Sequence, residues 1–70
     1  MVNTREMLLR ATRKYLEGNL DKHLANIEVY LENPAGIGEH SDIIEAIEQE
    51  LEQASKYEDM IGTLDAYIEE

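Results

Sequence analysis

The chain has no cysteine, no tryptophan and no phenylalanine, a single proline, and six basic residues against sixteen acidic ones. Each shortage excludes something. Without cysteine there is no disulfide to staple the fold and no thiolate to hold a metal. A 70-residue chain is one small domain, and a domain of this size without staples relies on well-packed helices or on self-association. No run of about 18 apolar residues occurs, so no membrane span is expected. Met1 to Leu9 lacks the apolar core and cleavage site of a secretory leader. A cytoplasmic setting is expected. The formal charge of −10 makes nucleic acid and anionic lipid poor direct partners.

What is present is helical pattern. Leu9, Leu16, Leu20, Leu24, Ile27 and Leu31 follow one another at spacings of seven, four, four, three and four. This predicts a helix over about residues 4–31 with these side chains on one face. Asn3 is placed to cap it, with Glu6 three residues on. Gly18 is a flaw in that helix, or the mark of a close approach by another helix. A second helix is predicted over about 42–69. Its stripe is Ile44, Ile47, Leu51, Ala54, Tyr57, Ile61, Leu64 and Ile68, with Ser41 as its N-cap and Asp42 and Glu45 at the positive end of its dipole.

Between them, about 32–41, lies Glu-Asn-Pro-Ala-Gly-Ile-Gly-Glu-His-Ser. Asn33 precedes proline and is pushed out of the α region, which ends the first helix. Pro34, Gly36 and Gly38 suit a turn, with Ile37 tucked under the helix ends. The expected fold is all-α: an antiparallel helical hairpin. The halves carry opposite charge, +1 over residues 1–31 and −11 over 32–70, which favours their lying together. Arg5, Arg10, Arg13 and Lys14 are expected beside Glu58, Asp59, Asp65, Glu69 and Glu70.

Each stripe is wider than one seam. Large exposed apolar patches mark interfaces, so two hairpins are expected to pair into a four-helix bundle or coiled coil. The candidate interaction residues are Val29, Tyr30, Met60 and Tyr67 on the second apolar face, with Ile37 and His40 in the loop.

Catalytic and cofactor chemistry finds little support. Glu39, His40 and Asp42 are potential ligands, but their spacing matches no zinc or calcium pattern. Gly36-Ile37-Gly38 follows a helix and sits among acids, the wrong field for phosphate. No Glu-x-x-His di-iron motif occurs. His23, beside the first stripe, reads as a half-buried packing residue; in a symmetric bundle it would meet its own copy and sense pH. The expectation is a protein without catalysis, cofactor or metal.

The stretch Tyr30-Leu31-Glu32-Asn33-Pro34-Ala35-Gly36-Ile37-Gly38-Glu39-His40, followed by an acidic helix, resembles a group of short proteins of tailed phages, especially T4-like phages of marine cyanobacteria and other marine bacteria. The resemblance spans about Ile27 to Leu64 and rests on Asn-Pro-x-Gly-Ile-Gly-Glu-His; Ser41 stands where that group often has proline. It implies no activity. It implies a small phage-encoded protein made in a bacterial cytoplasm. Taken with the wide apolar stripes, the expectation is a phage accessory or structural interaction protein that partners itself and, as a further option, a phage or host protein; whether it enters the virion stays open. The rival expectation is an acidic regulator or DNA mimic that captures a basic host protein through the second helix.

Overall fold

A computed structural model of the chain describes residues 3–33 and 42–69. It is all-helical over those residues: α1 (Thr4–Glu32), α2 (Ile43–Thr63), and a single wide π-helical turn (Leu64–Ile68) that prolongs α2. The ends follow local chemistry. The Asn3 side chain accepts the amide of Glu6 at 3.3 Å. At the other end, Asn33 leaves the α region (φ −140°, ψ 67°), as the residue before a proline does. The start of α2 corrects one expectation. Asp42 is the cap, accepting the amides of Ile44 (3.0 Å) and Glu45 (3.1 Å); Ser41 lies outside the described residues.

The two helices pack against each other in an antiparallel register. Arg5 reaches Ile68, Tyr15 meets Tyr57, and His23 meets Glu50. The α2 end has no basic residue of its own in its last turn. α1 supplies them instead: Arg5 donates to the Ile68 carbonyl at 2.8 Å, and Arg13 forks onto Asp65 and Glu69. Of the expected charge clusters, this is the part the described residues bring into contact.

Among the described residues only Leu16, Ala54 and Leu64 are buried, and none of their side chains is fully enclosed. Several stripe residues are therefore not in the seam. Ile44 is 76% exposed, Leu31 58%, Leu51 50% and Leu24 46%, and Ile68 is also exposed. The reason is helical phase. Each four-residue step overshoots a full turn by about 40°. From Leu16 through Leu20 to Leu24 the row walks about 80° out of the seam. A three-residue step falls short of a turn by about 60°, so Leu51 stands about 60° and Ile44 about 80° from Ala54. The vacated seam positions go to His23, Asn26 and Glu50, which are at most partly exposed.

The result is a slab, 54 × 22 × 15 Å between Cα atoms, with a radius of gyration of 16.0 Å. A compact chain of this length would have about 11 Å. The hairpin is one helix thick, whereas a stable domain ordinarily has two layers around its core.

Candidate functional site

The seam contains one polar cluster. His23 Nδ1 and Glu50 Oε2 are 2.6 Å apart, and both side chains are largely shielded from water. A carboxylate only accepts, so Nδ1 carries the proton. Asn26 donates to the second Glu50 oxygen at 3.2 Å. Burial pushes the Glu50 carboxyl up, but the hydrogen bonds from His23 and Asn26, with the charges of His23 and Lys22, outweigh it and hold the group below its ordinary value. The His23 ring stacks on Tyr57 (centroids 5.9 Å apart), Tyr15 meets Tyr57 edge-on at 6.3 Å, and Lys56 Nζ lies 4.9 Å from the Tyr57 ring centre. All of this chemistry is spent within the chain. His23 faces its own Glu50, which removes the geometry expected for a His–His contact across a two-fold axis.

At the other end, Arg13 is held in its charged form by hydrogen bonds to Glu69 and Asp65. Among the described residues no group of three or more acids or histidines is placed to hold a metal. Glu39 and His40 lie outside the described residues, and Asp42 is committed to capping α2. Two surface depressions among the described residues are shallow and open. One follows the outer side of α2 near Leu51 and Lys56; the other lies at the chain ends near Leu9 and Arg13. No described helix is long and apolar enough to cross a membrane.

The candidate functional features are the two broad faces of the slab, and they differ. On the first, Arg10, Glu17, Leu24 and Leu31 recur every seven residues along α1, and Ile44, Leu51, Glu58 and Asp65 along α2. Residues seven apart share a helix face. Arg13 ties the two rows to one side, since it contacts both Glu17 (3.9 Å) and Asp65. In the antiparallel register Leu31 falls close to level with Ile44, Leu24 with Leu51, and Glu17 with Glu58.

The opposite face carries Leu8, Tyr15, Lys22 and Val29 along α1, and Gln53, Met60 and Tyr67 along α2. Tyr15 meets Tyr57, which lies one turn from Gln53 and Met60, and this places the two rows on one side of the slab. Beside them run Thr12, Asn19 and Asn26, and Gln49, Lys56 and Thr63. None of these positions is a carboxylate, in a chain with sixteen.

Val29, Met60 and Tyr67, expected as interaction residues, share this carboxylate-free face; Val29 is exposed, Met60 is 37% exposed and Tyr67 77%. Tyr30, at its loop end, is half-buried. Ile37 and His40 lie outside the described residues. The larger aliphatic patch, Leu24, Leu31, Ile44 and Leu51, was hidden in the sequence because its members were assigned to the seam. The seven-residue recurrence that continues into Glu17 and Glu58 was the available signal.

No protein-family model, curated protein or solved structure matches the chain.

Proposed function

We propose that this chain is a small, acidic, non-enzymatic protein-interaction module that self-associates. One observation carries the reading: the hairpin is a single layer with surface to spare. Its accessible surface is 5510 Å². A compact monomer of 8.0 kDa would expose about 4,450 Å². The excess, about 1,060 Å², is of the size one partner contributes to a standard interface, about 800 Å². The carboxylate-free face, with Tyr15, Met60 and Tyr67, is the face two copies can share without stacking carboxylates. Pairing through it yields a four-helix bundle with its acids outward.

Light scattering on a size-exclusion column, over a concentration series, tests this. A mass near twice 8.0 kDa that Met60→Glu reduces to one chain is the expected result. A monomer at every concentration refutes self-association.

The loop resemblance supports placing such a module among phage accessory or structural proteins, acting in the host cytoplasm or in the virion. A second reading has its own support. The outward edge of α2 exposes Glu45, Glu48, Glu52 and Asp59, a row of charges that suits a regulator presenting a DNA-like edge to a basic host protein. Displacement of duplex DNA from such a protein, lost at high salt, is the outcome that separates it from the first.

A further inference from the structure

We propose that the acidic face of the slab is a docking groove for a basic amphipathic helix from another protein. The inference rests on reading the chain as an interaction module, and not on its self-association.

The groove is built from two apolar rungs and one acidic rung. Leu31 with Ile44 and Leu24 with Leu51 form the apolar rungs, all four side chains exposed by 46% or more. One heptad further along, Glu17 and Glu58 form the next rung. Glu28 on α1 and Glu48 on α2 stand on the outer edges, both exposed. Among the described residues, no lysine or arginine lies on this half of the face. Lys22 belongs to the opposite face and Lys56 leans over Tyr57. Arg10, one heptad before Glu17, and Arg13 lie further toward the chain ends; Arg13 is forked onto Asp65 and Glu69 and is only 3.9 Å from Glu17.

This pattern decides the occupant. A second copy set rung on rung would bring the same carboxylates together, and like charges across an interface oppose association; one set in the opposite sense about the Leu24–Leu51 rung would lay Leu31 and Ile44 against Glu17 and Glu58, leaving those carboxylates without cations. A helix with apolar side chains seven residues apart and lysine or arginine one heptad further fits both halves of the pattern. Its apolar row would fill the rungs and its cations would meet Glu17 and Glu58. Rungs one heptad apart are about 10.5 Å apart along the axis, so about three heptads of partner cover the groove. This is helix-in-groove recognition, read as anchors at helical spacing. The bound helix would add the second layer that the hairpin lacks at this end.

The test uses the full chain and three synthetic 21-residue peptides: an amphipathic leucine/lysine helix, a scrambled peptide of the same composition, and an amphipathic leucine/glutamate helix. Fluorescence anisotropy reads binding, and light scattering on the same samples reads self-association. The leucine/lysine helix is expected to bind at least about tenfold more tightly than the scramble, a difference of about 1.4 kcal/mol, with the glutamate helix not binding. Leu51→Glu lowers the affinity at least about tenfold, and Leu31→Glu, at a more exposed position, does the same should the first variant disturb the fold. Met60→Glu, on the opposite face, leaves peptide binding unchanged whatever it does to the mass. Glu17→Gln with Glu58→Gln weakens binding and flattens its salt dependence. Equal binding of the scramble, or full binding by both groove variants, overturns the proposal, since acidity alone would then account for capture. So does conversion of an oligomer to a monomer by Leu51→Glu without peptide, which would give the groove to a second copy.

Discussion

Glu50 is an acid in a seam position, and its neighbours make the placement tolerable. Every polar atom removed from water there has a partner, and among the described side chains no buried polar atom lacks a hydrogen bond. Replacing Glu50 with alanine strands His23 and Asn26, at a cost on the order of 1 kcal/mol, measurable by thermal or urea unfolding. The pH dependence has a definite sign. The folded carboxyl is held below its unfolded value, so its contribution is complete above the ordinary carboxylate range and is lost as pH falls through the acid limb. Wild type should lose stability on acidification more steeply than Glu50→Gln. Asp42→Ala removes the cap of α2 and should cost about 1 kcal/mol. Gly18 and Gly62 have open space where a Cβ would stand. Gly18→Ala should therefore stabilise the chain by about 1 kcal/mol; destabilisation would mean that another copy packs closely there.

At the scale of the elements, two helices packed against each other were legible from spacing alone, because three- and four-residue recurrences over such lengths fit nothing else. The partition of each stripe between seam and surface was not. Counting three- and four-residue steps keeps Leu16 and Leu24 together, while the accumulated phase separates them. His23, Asn26 and Glu50 were invisible as seam residues for the complementary reason: polarity argued for the surface, and only their mutual hydrogen bonds reverse that. The wide turn at Leu64–Ile68, closed by Glu69 N onto the Leu64 carbonyl at 2.8 Å, has no sequence signature that we can identify. These assignments separate by mutation. Leu16→Ala, within the seam, should cost about 2–4 kcal/mol, whereas Leu24→Ala should cost well under half as much in the monomer. Arg13→Gln should lower the melting temperature at low salt and less so at high salt, since its partners are exposed and screened.

For the whole molecule, the decisive quantity is thickness. A slab 15 Å deep between Cα atoms leaves two faces to water. Charge tells those faces apart, and the linear sequence shows this only when rows of seven are followed around each helix. Small-angle scattering offers an independent check on face-to-face pairing: the cross-section should thicken while the maximum dimension stays close to that of the monomer. End-to-end pairing would lengthen the particle instead.

Because the seam is antiparallel, Asn3 and Glu69 sit at the same end of the slab. Tension applied through both chain ends would pull the helices apart like a zipper, rung by rung, instead of sliding one along the other. The first rungs to meet the load are the Arg5 contact with the Ile68 carbonyl and the Arg13 fork; the His23–Glu50 pair lies far behind them. The mechanical clasp of this hairpin is thus electrostatic and solvent-facing, and the force needed to open it should fall as ionic strength rises.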